Sequence, residues 1–234
     1  MHSSNKDQNF IETINILNKY NIKYWICHAT LLGVIRDKDL IPWDNDIDIA
    51  VWADDVSEEK IIDIMTTQNF ALRTKDIKDS SLHFTKKEGK IVDINFYKIG
   101  KTKNNNEQIG YLTFHVPKNF FCKVIEALSF AKTYNGKFKN LIKMFYFFES
   151  FFNKFKNYLI QNELFYNAVL VNQPVDLLKE FHKISFYGIE VRIPKKFNEY
   201  LVYMYGENWK TPIKNWNSFK DMPNLKRGIA NSIK

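Results

Sequence analysis

The sequence predicts one α/β domain, in which a small mixed sheet carries flanking helices and an α-helical insertion. Two kinds of pattern alternate in the first half: period-two segments such as 46–52 and helical-period segments such as 9–20. By contrast, residues 118–184 are unusually aromatic and predict helices, so we place the insertion there. A chain of 234 residues with 45% hydrophobic content can bury one core, so residues 1–234 are predicted to form a single domain.

Individual elements follow from local signals along the chain. Phe10, Ile14 and Leu17 recur at helical spacing, which predicts a first helix. Ser57 precedes two glutamates, which is typical of a helix start, and this helix is expected to end near Thr67. The other predicted elements are strands at 22–27, 69–74, 81–86, 90–97 and 111–116, helices at 28–36 and 195–205, a turn at Glu88-Gly89, and a hairpin or edge strand at 186–193 around Gly188.

Charge and cysteine content restrict the class of protein. The formal net charge of +8 favours an anionic partner. Cys27 and Cys122 have neither metal-ligand spacing nor a disulfide framework, so a reducing compartment is expected. The first ten residues are polar and lack an apolar stretch, so no signal peptide is expected. The sequence contains no run of about 18 uncharged apolar residues, so no membrane span is expected. A cytoplasmic location is therefore expected, with possible peripheral contact at the inner face of the membrane.

Two acidic residues share one face of the strand predicted at 46–52. Side chains two apart on a strand point the same way, so Asp46 and Asp48 lie together while Ile47 and Ile49 face the other side. Two such carboxylates repel each other and raise each other's pKa unless a cation lies between them. Mg²⁺ and Mn²⁺ prefer oxygen ligands, so the pair indicates a divalent metal site. A solvated acidic strand end is the alternative interpretation.

Two further carboxylates are candidates for the same site. Asp44 lies just before the strand and is expected as an outer-shell or third ligand. Asp93 lies within the apolar strand predicted at 90–97, where it would complete a two-metal site as a ligand or act as a base. The alternative for Asp93 is an edge-strand residue that faces water. His28 and His83 are weaker candidates, for contact with a phosphate donor and for general base respectively.

The short helix predicted at 28–36 lies directly before the acidic strand. Backbone N–H groups at the start of a helix bind phosphate, so Ala29 and Thr30 are expected to contact an anion, with the threonine hydroxyl contributing. Gly33 would allow close packing, and Arg36 would contact phosphate. The alternative is a plain amphipathic turn of helix.

Residues 22–51 resemble the LicD family, which includes the fukutin-related proteins. The hallmark of that family is a small residue with TLLG, an arginine, IPWD, a variable residue and DIDI. In this chain the hallmark reads Ala29-Thr30-Leu31-Leu32-Gly33, Arg36, Ile41-Pro42-Trp43-Asp44 and Asp46-Ile47-Asp48-Ile49. Further matches are the strand with Asp93 and the segment 186–212, with Tyr205, Gly206 and Trp209.

The resemblance implies a nucleotidyltransferase-like fold with Mg²⁺ or Mn²⁺ as cofactor. It implies a transferase that moves phosphocholine or a polyol phosphate from a CDP-activated donor to a sugar hydroxyl, on a surface glycan such as lipopolysaccharide or capsule, or on its precursor. Family members usually have glycine where Ala29 stands, so the added methyl group is expected to limit how closely a phosphate approaches. The alternatives are a nucleotidyltransferase that moves a nucleoside monophosphate and a basic, non-catalytic binding module.

An aromatic stretch sets the middle of the chain apart. Thirteen phenylalanine or tyrosine residues lie between Phe120 and Tyr158, interleaved with lysine. On one helix over 141–159 they would occupy a single face, bordered by Lys143, Lys154 and Lys156. Such a face favours contact with an anionic membrane, or else packing against the core or a partner subunit. Its confinement to one face argues against nucleic acid.

Overall fold

The structure is a computed structural model that describes residues 6–73, 79–87, 89–102, 107–134, 136–216 and 221–224. Its helices are α1 Gln8–Lys19, α2 His28–Arg36, α3 Glu58–Thr67, α4 Phe120–Ser129, α5 Lys139–Met144, α6 Glu149–Gln161 and α7 Phe197–Tyr205. Its strands are β1 Trp25–Ile26, β2 Asp46–Trp52, β3 Ala71–Arg73, β4 Ser81–Thr85, β5 Ile91–Lys101, β6 Gln108–Pro117, β7 Tyr166–Pro174, β8 Phe181–Phe186 and β9 Ile189–Pro194. Tyr146–Phe148 and Val175–Leu178 form turns of 3₁₀ helix.

The main sheet is organised around β5. This strand runs parallel to β2 and antiparallel to β4, within the order β1-β2-β5-β4-β3. The last residues of β5 pair with β6, which in turn pairs with β7. Alternation along β2 buries Ile47 and Ile49 completely on one face, so the acidic residues between them lie on the other. The predicted mixed α/β sheet with flanking helices is confirmed.

Side-chain caps fix two of the predicted helix starts. The Ser57 hydroxyl accepts a hydrogen bond from the Lys60 N–H at 3.2 Å, so α3 begins where the sequence indicates. Asp7 caps α1 in the same way, and the buried side chains of that helix include Phe10, Ile14 and Leu17. These two helices therefore follow directly from local sequence.

The chain divides into two compact units. One comprises Met1–Leu112 and Leu170–Lys234, and the other comprises Thr113–Val169, which we call the helical unit. The core of the helical unit is a small cluster of Cys122, Ile125 and Phe165. Within the described residues, no helix is long and apolar enough to cross a membrane.

The prediction that residues 118–184 are helical throughout is wrong for their last third. Residues 166–174 form β7, and β8 begins at Phe181. Strand β7 pairs with β6, which is distant in sequence, and such a partner leaves no local periodicity to detect. The hairpin predicted around Gly188 is confirmed, because Tyr187 and Gly188 have φ values of 54° and 86°, typical of a type I′ turn.

The aromatic stretch is likewise not the single helix predicted over 141–159. Helix α5 ends at Met144, a 3₁₀ turn follows, and α6 begins at Glu149. Lys156 is fully buried rather than lying at the border of an exposed face. The predicted turn at Glu88-Gly89 and the end of the strand predicted at 69–74 fall partly outside the described residues.

Candidate active site

Asp48, Asp93 and His83 form a row across three neighbouring strands. Asp48 of β2 is paired with Asp93 of β5 in the parallel register, and Asp93 is paired with His83 of β4 in the antiparallel register. Residues directly opposite each other project from the same face of a sheet. Asp46, two residues before Asp48, faces the same way. The predicted set of Asp46, Asp48 and Asp93 therefore lies on one face of the sheet.

The carboxyl groups of this face perturb one another. Burial, reinforced by the neighbouring Asp44 carboxylate, raises the pKa of Asp46 from 3.8 to about 7. Burial and then the charge of Asp46 raise the pKa of Asp48 well above its ordinary value. The charge of Asp93 raises both pKa values further. Neighbouring carboxylates in a partly desolvated site repel one another, and a bound cation would relieve this repulsion.

Asn95 and Ser81 hold Asp48 from the same face. The Asn95 amide nitrogen donates to the Asp48 Oδ1 at 3.2 Å, and its oxygen accepts from the Ser81 hydroxyl at 2.5 Å. Both Asn95 and Ser81 are buried. Sequence reasoning missed Asn95, although its place two residues after Asp93 on a strand was a usable signal.

The start of α2 is tied to the acidic strand by two hydrogen bonds. The Cys27 N–H donates to the Asp48 carbonyl at 3.2 Å, and the Asp48 N–H donates to the Thr30 hydroxyl at 2.7 Å. Thr30 is buried, so its oxygen acts first as a structural acceptor. Ala29 lies beside it in the first helical turn. The positive end of the helix dipole is thereby fixed next to the carboxylates.

Gly33 and Arg36 occupy the later part of the same helix. A Cβ on Gly33 would lie 2.7 Å from the Asp39 carbonyl oxygen, so glycine allows α2 to pack against the segment that leads to the acidic strand. The Arg36 guanidinium is bound by both carboxylate oxygens of Asp37, at 2.7 and 2.8 Å. A helix rises about 1.5 Å per residue, so Arg36 is separated from the first turn by the length of α2. The phosphate contact expected of Arg36 therefore stays a prediction.

Lys90 is a further residue that the sequence did not single out. Its ammonium group donates to the carbonyl oxygens of Ile41, at 3.2 Å, and of Asp44. The Ile91 N–H also donates to the Asn45 carbonyl at 3.1 Å. The start of β5 thus holds the loop that carries Asp44 against the site.

A buried polar network supports His28 at the start of α2. The His28 N–H donates to the Tyr200 hydroxyl at 3.2 Å, and its Nε2 lies 3.2 Å from the Tyr97 hydroxyl. The Gln173 amide donates to both hydroxyls, at 3.0 Å to Tyr97 and 3.4 Å to Tyr200. Burial lowers the pKa of His28 to about 4, so the ring is neutral near pH 7. His28 has a φ of 48°, a strained backbone that this network holds in place.

Cys27 adds a sulfur atom close to the acidic row. One ligand atom each from Cys27, His28 and Asp48 lies within 4.8 Å of the other two. Burial raises the pKa of the Cys27 thiol well above its ordinary value, so the thiol stays protonated. Mg²⁺ and Mn²⁺ prefer oxygen to sulfur ligands, which leaves the carboxylate oxygens as the stronger donor set for these ions.

A mixed α/β sheet that presents an acidic pair on one strand and a third carboxylate on the next defines a nucleotidyltransferase-like protein. More specifically, this chain belongs to the LicD/FKTN/FKRP family. The family model, described as "LicD/FKTN/FKRP, nucleotidyltransferase domain", matches residues 21–140. Both the family and the fold predicted from the sequence are confirmed.

Named relatives include enzymes of humans and bacteria. Human "Ribitol-5-phosphate transferase FKTN" is 20% identical over 214 residues, covering 89% of this chain and 34% of FKTN. "Lipopolysaccharide cholinephosphotransferase LicD" of Haemophilus influenzae is 31% identical over 81 residues, covering 33% of this chain and 29% of LicD. The chain spans about a third or less of the length of the curated relatives it matches.

Among solved structures, the lincosamide antibiotic adenylyltransferase LnuA with bound lincomycin is similar to this chain. The TM-score is 0.41 at 12% sequence identity, over 86% of this chain and 88% of LnuA.

Proposed function

We propose that this chain transfers a phosphate-linked small group, either phosphocholine or a polyol phosphate, from a CDP-activated donor to a sugar hydroxyl. The observation that carries the proposal is the placement of Asp46, Asp48 and Asp93 on one face of the sheet, beside the start of α2. The names of FKTN and LicD support this class of transferred group.

Mg²⁺ or Mn²⁺ is the cofactor that these residues fit. The donor atoms are carboxylate oxygens, and the carboxyl pKa values are raised in a way that a bound cation would reverse. Asp46 and Asp48 would hold the ion, with Asp93 as a further ligand. When bound, the ion supplies charge neutralisation to the phosphates of the donor and the leaving nucleotide.

The residues of the chain provide the remaining parts of the reaction. The first turn of α2, at Ala29 and Thr30, offers backbone N–H groups to the donor pyrophosphate. The acceptor hydroxyl oxygen forms a bond to the distal phosphorus, the bond from that phosphorus to the bridging oxygen breaks, and CMP leaves. The hydroxyl proton passes to Asp93, which His83 orients. Arg36 uses its Nε–H and one Nη–H on Asp37, so its other N–H groups remain for contact with the donor.

The acceptor in this proposal is a surface glycan, such as lipopolysaccharide or capsule, or its lipid-linked precursor. The formal net charge of +8 suits an acceptor or carrier that bears phosphate. The proposed place of action is the cytoplasmic side of the membrane, where such precursors are built.

The test is to incubate the protein with CDP-choline or CDP-ribitol, Mg²⁺ and a glycan acceptor, and to analyse both products by mass spectrometry. An acceptor that gains the choline or ribitol phosphate, with release of CMP, supports the proposal. An acceptor that gains CMP itself from CTP, with release of pyrophosphate, would instead indicate a nucleotidyltransferase. Metal binding without any product would indicate a binding module. Asp54→Asn is the matched control for variants of Asp46, Asp48 and Asp93, because Asp54 is exposed just after β2.

A further inference from the structure

Helix α6 of the helical unit turns three polar side chains inward, next to Phe155, Leu159 and Ile160, which pack against the core cluster of the unit. Its Glu149 carboxylate accepts from the Lys132 N–H at 2.8 Å, and its Asn153 amide donates to the Ser129 carbonyl at 2.8 Å. Lys156, on the same side, is completely buried, with its ammonium group 4.1 Å from the Phe130 ring centroid. An ordinary amphipathic helix of a globular protein leaves such polar groups in solvent and buries its whole apolar side.

The opposite side of α6 and the turn before it present aromatic rings to solvent. Phe147 is 75% exposed, Phe148 57%, Phe151 63% and Tyr158 59%. Positions 148, 151, 155 and 158 are spaced three or four residues apart, so these rings share one side of the helix. Large contiguous apolar patches are rare on the surface of soluble monomers unless a partner or a membrane covers them.

Helix α4 extends the same exposed surface. The rings of Phe121 and Phe151 each lie 6.4 Å from the half-buried ring of Phe155, which links the two helices. Phe120 is 80% exposed and Phe121 59%. We call these side chains the aromatic surface: Phe120, Phe121, Phe147, Phe148, Phe151 and Tyr158. The same unit also exposes Phe138, Leu141, Met144, Phe145 and Tyr146.

The charge of the helical unit selects among possible partners. Residues 113–169 contain eight lysines and three glutamates, with no arginine or aspartate, for a formal net charge of +5. The exposed lysines are Lys118, Lys123, Lys132, Lys137, Lys139, Lys143 and Lys154. A second copy of this chain would bring like charges together, whereas an anionic bilayer supplies apolar depth for the rings and opposite charge for the ammonium groups.

We infer that the aromatic surface binds anionic lipid bilayers, with the rings inserted at the headgroup boundary and the surrounding lysines on lipid phosphates. The membrane contact thus involves α5, the 3₁₀ turn that follows it, α6 and the start of α4. Lys156 is buried and takes no part in it. This inference does not depend on the transfer reaction, because vesicle binding is measured without donor or acceptor.

The experiment is co-sedimentation of the whole chain with phosphatidylcholine vesicles, either pure or containing about a third phosphatidylglycerol. Binding to the anionic vesicles that weakens as salt rises is expected. Phe147→Ser/Phe151→Ser should lower the partition coefficient by roughly tenfold or more for each ring. Ile99→Ser/Ile213→Ser is the matched control, because these side chains are 51% and 52% exposed outside the helical unit.

A second variant set tests the charges independently. Each lysine near an anionic surface changes the partition coefficient by about fivefold, so Lys139→Glu/Lys143→Glu/Lys154→Glu should lower it by about two orders of magnitude. Lys87→Glu/Lys98→Glu/Lys101→Glu changes the total charge equally, with exposed lysines outside the unit, and should lower it less. Equal effects of the two sets, or a wild type that ignores anionic vesicles, would overturn the inference. So would a stable dimer, seen by light scattering, that Phe147→Ser/Phe151→Ser dissociates without affecting vesicle binding.

Discussion

The Nδ1 atom of His83 lies 2.6 Å from the Oδ1 atom of Asp93, across the antiparallel pair β4–β5. Asp93 thus has this imidazole on one neighbouring strand and Asp48 on the other. The Nε2 atom of His83 is buried, and no hydrogen-bond partner for it is found among the described residues. Since the ring holds Asp93 from the side, the carboxylate is oriented for a ligand over the face of the sheet.

Replacement of Asp93 should therefore lower kcat more than replacement of His83, which orients it. We expect Asp93→Ala to lower kcat by about 10²-fold or more, because it removes a group that is proposed to contact substrate or metal. His83→Gln should lower kcat by about tenfold, because it loosens an orientation only. Steady-state kinetics of both variants, beside Asp54→Ala and Asp55→Ala on the exposed turn after β2, measures this difference. Equal losses at Asp93 and the two control positions would remove Asp93 from the site.

Metal binding can be detected without turnover. Mg²⁺ should raise the Tm of the wild type in a concentration-dependent way, because a ligand that binds only the folded state stabilises it. Asp46→Asn and Asp48→Asn should each abolish turnover and this shift. The metal-free Tm should stay unchanged or rise, because each variant removes a carboxyl group whose charged form is disfavoured in the fold. Asp54→Asn should keep the full shift. A normal Mg²⁺ response in Asp48→Asn would contradict the metal assignment.

The raised pKa of Asp46 sets the pH dependence of metal-free stability. Its pKa is about 7 in the folded chain against 3.8 for the ordinary group, so between these values the folded state holds a proton that the unfolded state has lost. The contribution of Asp46 to stability is therefore fully present below about pH 4 and is lost as pH rises towards about 7. Urea unfolding in EDTA at a series of pH values should show this fall, and Asp46→Asn should reduce its slope. A slope that is unchanged in the variant would mean that Asp46 does not titrate in this range.

Local patterns predicted those parts of the molecule in which one strand or helix decides the geometry. Alternation over 46–52 was sufficient to place Asp46 and Asp48 on one face, because a strand has a fixed period of two. Likewise, the Ser57 cap and the hairpin at Gly188 depend on chemistry within a few residues. Asp93 was found because its strand carries the same pattern of alternation.

Features that depend on distant partners did not show in the sequence. The pairing of β7 with β6 overrode the expected helix, and the contact of Lys90 with the Asp44 carbonyl joins two strands that are far apart in sequence. The sequence also did not show which side of α6 is buried. The periodicity separated aromatic from polar residues, but hydrogen bonds hold Glu149 and Asn153 inward. Phe151 and Tyr158 are exposed instead. A period defines the sides of a helix, and only its neighbours decide which side is buried.

Gly33 offers a test of how closely α2 must approach the loop before the acidic strand. Gly33→Ala places a methyl group 2.7 Å from the Asp39 carbonyl oxygen, which is backbone and cannot move aside cheaply. We expect a loss of about 1–3 kcal/mol in the free energy of unfolding, measured by urea denaturation. Gly33→Ser should cost at least as much. If Gly33→Ala is as stable as the wild type, the close contact is not a constraint on the fold.

The buried hydroxyl of Tyr200 links helix α7 to the start of α2, and its removal should affect both stability and donor binding. Tyr200→Phe leaves the His28 N–H without its acceptor at 3.2 Å, whereas the Gln173 amide loses only its 3.4 Å contact and keeps the Tyr97 hydroxyl at 3.0 Å. Because buried donors that lose a partner cost about 1–3 kcal/mol each, urea unfolding should show a loss of at least that size. Tyr203→Phe is the matched control, since its half-buried hydroxyl makes a 3.4 Å contact with Asn172 and its removal should cost less stability.

His28 also begins the helix whose first turn is proposed to bind the donor, so KM for the CDP-linked donor should rise more in Tyr200→Phe than in Tyr203→Phe. Equal changes in both variants would show that the network does not position the start of α2.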